Sequence, residues 1–146
     1  MKIVIQRVKN AAVSVNGKTV GKIGKGICLF IGIKKGDTEQ EALWLVNKIT
    51  GLRIFEDTNE KMNLSIKEIN GEILIISQFT LYGDCKKGKR PSFFEAAEPE
   101  TAKKLYNFFI KKFKDTGIHT ETGIFRATMD VEIINDGPVT LIIESK

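Results

Sequence analysis

The densest apolar positions fall in two nearly unbroken runs, Gly26 to Ile33 and Ile73-Leu74-Ile75-Ile76. Short branched runs of this kind are what strands buried on both faces require, so both are placed in the middle of a sheet. Around them the pattern alternates. Ile3 to Val8 reads as a first strand. Ala11 to Val15 leads into Asn16-Gly17, a two-residue hairpin signal with a partner strand through Val20, which makes the opening a β-meander. Leu52-Arg53-Ile54-Phe55-Glu56 is a short alternating strand that Asp57-Thr58-Asn59 ends with turn chemistry. Asn70-Gly71 is a second hairpin signal and predicts that Leu64 to Ile69 folds against a strand from Glu72 to Thr80. Ile118 to Thr122 predicts another strand. Met129, Val131 and Ile133 alternate with Asp130 and Glu132, as in a strand with one wet face, and Asn135-Asp136-Gly137-Pro138 joins them to a last strand, Val139 to Glu144.

Two stretches carry helical spacing instead. Asp37-Thr38-Glu39-Gln40 offers an N-cap at Asp37 with glutamine at N3; Ala42, Leu45, Val46 and Ile49 form the apolar stripe, and Gly51 supplies a left-handed terminator. Trp44 falls at that helix's margin. Pro99 suits a first helical position, and Ala102, Leu105, Tyr106, Phe109, Ile110 and Phe113 make the second stripe before Gly117 closes it. Lys103, Lys104, Lys111, Lys112 and Lys114 lie largely off that stripe, on a solvated face. Many strands with two intervening helices predict a mixed α/β fold in which β-sheet layers carry the two main helices on one face, a β/β/α layering.

At 146 residues the chain is expected to form a single domain, 1–146, with a real core. It holds no repeat, low-complexity segment or interdomain linker. The N-terminus lacks the long apolar segment of a signal peptide, and no run approaches the roughly 18 residues of a membrane span, so a soluble cytoplasmic protein is expected. A formal charge of +5 makes an anionic partner plausible without identifying it. Lys86-Lys87-Gly88-Lys89-Arg90-Pro91 is too rich in Gly and Pro for a helix and reads as a basic surface loop. Cys28 lies in an apolar run and Cys85 in a polar loop, with neither metal-ligand nor redox spacing between them. Cys85 has no evident base to make it a nucleophile.

The chemistry is placed at Ser77-Gln78-Phe79-Thr80-Leu81, where the most apolar strand ends in a cluster of polar side chains. The plainer reading is that Ser77 and Thr80 satisfy local backbone groups. His119 is the only histidine, and Ser77 and Thr80 have no G-x-S-x-G context, which leaves a serine triad with little support. No Gly-rich phosphate loop, H-E-x-x-H or His/Cys cluster points to a nucleoside triphosphate or zinc. The residues alone describe a site without an obvious base.

Ser77-Gln78-Phe79-Thr80-Leu81 together with Asn135-Asp136-Gly137-Pro138-Val139-Thr140 resembles the paired signatures S-Q-F-T and N-x-G-P-V-T of D-aminoacyl-tRNA deacylases, the D-tyrosyl-tRNA deacylase family. Gln6-Arg7-Val8, Leu52-Arg53-Ile54-Phe55-Glu56 and Lys87-Gly88-Lys89-Arg90-Pro91-Ser92-Phe93 extend the likeness over essentially the whole chain. One departure is Arg126, where the family more usually has glycine; it bears on the geometry of that loop and on access there.

The resemblance implies the family's fold and a homodimer, with no metal or other cofactor, that hydrolyses the ester between a D-amino acid and the 3′-terminal adenosine of tRNA at sites on the subunit interface. It assigns catalysis to Ser77, Gln78, Phe79 and Thr80, and substrate binding and chiral selection to Gly137, Pro138, Arg7, Phe125 and Met129. In that picture the Gly137-Pro138 bond is cis and enters the partner's site; on sequence alone the dipeptide reads as an ordinary turn. The N–H groups of Phe79 and Thr80 would stabilise an oxyanion. Thr80 would either position the reacting groups, with the terminal ribose hydroxyl activating water, or attack directly, for which no base is evident. Lys86, Lys87, Lys89 and Arg90 would meet phosphates of the acceptor end or simply keep the loop soluble. A different class of function is a non-catalytic RNA-binding module, with Phe93 and Phe94 stacking on unpaired bases.

Overall fold

The computed structural model describes residues 1–145. Its elements follow the chain as β1 (Lys2–Val15), β2 (Lys18–Ile23), β3 (Gly26–Gly32), α1 (Glu39–Thr50), β4 (Phe55–Glu56), β5 (Met62–Leu64), β6 (Glu72–Ser77), a 3-10 turn (Phe79–Tyr82), α2 (Pro99–Asp115), β7 (Thr120–Thr122) and β8 (Asp130–Glu144). The two apolar runs become β3 and β6, which pair in parallel from Gly26↔Glu72 to Ile31↔Ser77 at the centre of the sheet. Period-two alternation divides their side chains between two interiors. Ile27, Leu29, Ile31, Ile73 and Ile75 face a core shared with both helices. Cys28, Leu74 and Ile76 face a second core with Val8, Ala11, Val13 and Ile23. Burial pushes the Cys28 thiol up to about 12, so it behaves as an apolar side chain.

The opening meander differs from its expected form in one respect, because β1 is one long strand and not two. Its first half pairs with β3 and its second half with β2, while β8 runs antiparallel along it from Lys2↔Glu144 to Ser14↔Asp130. β7 extends the sheet in parallel beyond β6. The order is β2-β1-β3-β6-β7 with β8 on β1, and the sheet curls until it is nearly closed around the second core. Both helices lie on the other face, where Leu45, Ile49, Phe109 and Phe113 are fully or almost fully buried. None is long and apolar enough to cross a membrane.

Local chemistry explains where the expected boundaries moved. The cap of α1 is Thr38: its hydroxyl accepts from Gln40 N–H at 3.2 Å, and Glu41 reaches back to the Thr38 N–H at 2.7 Å. Asp37 is diverted, accepting from the Met1 amine and from Lys34 N–H, each at 2.7 Å. Gly51 ends the helix at φ −96°, whereas Gly117 after α2 takes the left-handed conformation at φ +81°. The Asn70-Gly71 hairpin does not form. Ser65-Ile66-Lys67-Glu68 is a capping box that closes a helical turn ending with Gly71 N–H on Ile66 O, and Leu64 pairs with Phe55 in a small separate sheet. The left-handed Asn70 serves this turn. The strand expected to reach Thr80 stops at Ser77. Likewise Asn135-Asp136-Gly137-Pro138 makes no chain reversal: β8 runs through it, with a cis Gly137-Pro138 bond inside an interruption of the β1 ladder between Gln6↔Thr140 and Val8↔Asn135.

Gly26 lets β3 and β6 approach, because a Cβ there would strike the backbone of Glu72. Gly17, at φ +74°, has open space around it. We expect Gly26→Ala to cost about 3 kcal/mol or more and Gly17→Ala only about 1–2 kcal/mol of left-handed strain. Urea unfolding of both variants should preserve that order.

Candidate active site

Where β6 ends, Gln78 N–H donates to Ile31 O at 2.8 Å, so the chain stays fastened to β3 for one residue beyond the parallel ladder. It then coils into the 3-10 turn. The N–H groups of Phe79 and Thr80 open that turn and precede any carbonyl able to accept them within it. Neither donates to a protein acceptor among the described residues. The turn closes with Gly83 N–H on Thr80 O at 2.9 Å. Gly83 fits closely here, since a Cβ would lie 3.0 Å from both that oxygen and the Phe93 ring.

A cleft of about 570 Å³ opens beside this turn. Ser77, Gln78 and Phe79 form one wall, Phe125 to Ala127 another, and the start of α2 a third; Ile31, Ile76, Met129 and Val131 line it with apolar surface. Gly123 makes room for Met129, whose sulfur would lie 2.5 Å from a Cβ there. Below, Tyr106 is buried, donates to Ile75 O at 2.8 Å and stacks obliquely on Phe125 at 5.8 Å. Burial raises its phenol well above the usual range, so it acts as a neutral prop. At the mouth Phe79, 56% exposed, meets Phe93 edge to face at 5.1 Å. Gln78 Nε2 donates to Thr80 Oγ1 at 2.5 Å. No His, Lys or carboxylate contacts Thr80 among the hydrogen bonds of the described residues, so no side-chain base is arrayed to activate its hydroxyl.

A second cluster surrounds Gly137-Pro138. Arg7, only 5% exposed, donates through Nε to Asp136 O at 2.9 Å and through a terminal nitrogen to Ile54 O at 2.7 Å. Its ion pairs reach Asp136 at 3.3 Å and Glu56 at 3.5 Å. Asn135 Nδ2 donates to Arg7 O at 2.9 Å and Val139 O at 3.3 Å, bracketing the interruption in β8. A Cβ on Gly137 would collide with the Asn135 side chain. The planar guanidinium thus satisfies two carbonyls and two carboxylates at once, which the point charge of lysine could not reproduce. Beside this cluster β8 leaves Ile134 53% and Ile142 71% exposed.

Of the residues singled out in the sequence, Ser77, Gln78, Phe79, Phe125 and Met129 come together at the cleft, with Thr80 exposed on its rim. Arg7, Gly137 and Pro138 assemble apart from it and do not line it within one chain. Lys86, Lys87, Lys89 and Arg90 are exposed on a loop closed at its base by the Asp84↔Ser92 bridge, and they do not line the cleft either. The sequence pattern did not single out Glu98 in the cleft wall or Glu56 beside Arg7: Glu98 precedes the helix that begins at Pro99, and Glu56 ends a short alternating strand, so neither stands in a motif. Among the described residues no three His, Cys, Asp or Glu side chains gather closely enough to hold a metal ion.

The model of the family described as D-Tyr-tRNA(Tyr) deacylase matches residues 4–144. A D-aminoacyl-tRNA deacylase of Desulfatibacillum aliphaticivorans is 59% identical over 146 residues, covering 100% of both chains. One from Thermotoga petrophila is 55% identical, covering 99% of this chain and 97% of its own. Among solved structures, one described as c-Myc DNA Unwinding Element Binding Protein superposes with a TM-score of 0.94 at 42% identity, covering 100% of this chain and 99% of that one. A probable eukaryotic D-amino acid tRNA deacylase, at 18% identity and TM-score 0.83 over 97% of both chains, shares the fold. The chain, matched along nearly all its length, belongs to the D-Tyr-tRNA(Tyr) deacylase family and is a hydrolase.

Proposed function

We propose that this protein hydrolyses the ester between a D-amino acid and the 3′-terminal adenosine of tRNA, acting as one cytoplasmic domain in a homodimer. The observation that carries this reading is the pair of unengaged N–H groups of Phe79 and Thr80 beside a cleft with no side-chain base at its reactive end. Such donors suit an oxyanion that forms and collapses. Water adds to the ester carbonyl, the carbonyl oxygen takes up negative charge against the two N–H groups, and the C–O bond to the ribose breaks. The 3′ oxygen leaves with a proton, giving free tRNA and the D-amino acid. The neighbouring 2′-hydroxyl of the RNA takes the role of activating water, and Thr80 positions. Ser77 and Gln78 hold the strand end and the Thr80 hydroxyl in place.

The separation of the two clusters supports dimerisation. Gly137-Pro138 lies away from the cleft of its own chain, on a strand that exposes Leu141 and Ile142. An exposed apolar strand of this kind calls for a cover, and a two-fold partner would bring each Gly137-Pro138 to the other's cleft. Backbone atoms fixed there by Arg7 would clash with an L side chain and spare a D one. The basic loop of Lys86, Lys87, Lys89 and Arg90 would meet acceptor-end phosphates, contributing affinity without sequence choice.

Three outcomes are expected. With D-alanyl, glycyl and L-alanyl esters on one tRNA body, the first two should be cleaved and the third spared; a contact of one methylene gives only about 1–3 kcal/mol, so comparable L cleavage would sink selection by exclusion, as would a fully resistant glycyl ester. Thr80→Ala should stay within about tenfold of wild type, whereas a 2′-deoxy terminal ribose should cost about 100-fold or more. A dead Thr80→Ala enzyme with normal cleavage of the 2′-deoxy substrate would make Thr80 the nucleophile. Light scattering should find a dimer at assay concentration, and a fully active monomer would refute the shared site.

A further inference from the structure

The turn Ile124-Phe125-Arg126-Ala127 forms part of the cleft wall, closed by Ala127 N–H on Ile124 O at 3.1 Å. Of its two central residues only Arg126 has a positive φ, +65°. That is the third position of a type II turn, where glycine is the default because a Cβ is disfavoured. The conformation is imposed from both sides. Phe125 is held inward on Tyr106, and Met129 descends into the space left by Gly123. Arg126 is therefore carried outward, exposed at the edge of the cleft.

Arg126 is the one cation among the residues lining that cleft, and Glu98 on the α2 side is the one anion. The two do not pair, and no carboxylate among the described residues lies within ion-pair distance of the Arg126 guanidinium. A left-handed position occupied by a long cationic side chain, with no ion-pair partner among the described residues of its own chain and on the rim of the cleft, points to an anion supplied from outside. On the reading proposed above, the cleft takes the terminal aminoacyl nucleoside. The nearest anion to that nucleoside is the phosphodiester on its 5′ side, which must pass the rim as the strand leaves.

We propose that Arg126 binds this phosphodiester and so positions the aminoacyl end in the cleft. It is a positioning residue: it holds the substrate's strand and leaves the bond chemistry to the Phe79–Thr80 turn. This assignment rests on the deacylase reading, and the experiment separates the two. Arg126→Gly removes the cation and also suits the backbone, so folding is not threatened. D-alanyl-tRNA and D-alanyl-adenosine without a 5′-phosphate serve as paired substrates. On the tRNA the variant should lose about tenfold in kcat/KM, carried by KM, and the slope of log kcat/KM against log salt should be shallower by roughly 0.7, one phosphate contact to a single strand. On D-alanyl-adenosine the deficit should shrink below twofold. Thermal melting should show no loss of stability. An equal deficit on both substrates, or no deficit and an unchanged salt slope on the tRNA, would overturn the assignment. Wild-type protein inactive on both would sink the deacylase reading and this assignment with it.

Discussion

The parallel contact between β3 and β6 is the constraint on which the architecture depends. Two strands with apolar side chains on both faces must be covered on both, and the chain supplies two different covers: helices α1 and α2 on one side, and the curled ribbon of β1, β2 and β8 on the other. A parallel pair also brings its carboxyl ends to the same end of the sheet. The polar cluster after Ile76 therefore emerges beside the end of β3, and Gln78 fastens to Ile31 instead of dangling into solvent. The 3-10 turn of Phe79–Tyr82 thus starts directly from the most buried part of the sheet, and its position is set by the β3–β6 pairing.

The parts legible in the sequence are those governed by short-range pattern. The unbroken runs at Gly26 and Ile73 announced central strands, and the stripes ending at Ile49 and Phe113 announced the helices and the faces they bury. Asn16-Gly17 made its hairpin because the flanking segments were free to pair. Asn70-Gly71 did not, because Ser65 and Glu68 had already closed a helical turn across the segment that would have been the other arm. Two local signals competed, and the one that satisfied more backbone groups prevailed.

The candidate site divides along the same line. Ser77-Gln78-Phe79-Thr80 was visible as polarity after an apolar run, although its coiling into a 3-10 turn was not, since nothing in four residues specifies where a strand stops. The brace of Arg7, Ile54, Glu56 and Asp136 joins segments some 50 and 130 positions apart in the chain, a distance at which pattern is silent. Only the likeness to a family placed Arg7 and Gly137-Pro138 in one functional group, and geometry then supplied the bonds between them.

The interruption at Gly137-Pro138 has a further consequence for which interior each strand serves. On β1, Ile3 and Ile5 face the helical core, but Ala11 and Val13, also odd-numbered, face the second core. The slip at Lys9 and Asn10 has turned the strand over. On β8, Val139 and Ile143 face the first core while Val131 and Ile133 face the second, so β8 turns over across its own slip. Matched inversions keep the ribbon in register with itself, and one pair of strands closes two interiors. Parity is what is protected: adding or removing one residue between Asn135 and Thr140 would send the apolar side of half the ribbon into water. The length of this segment, as much as its composition, is under structural constraint.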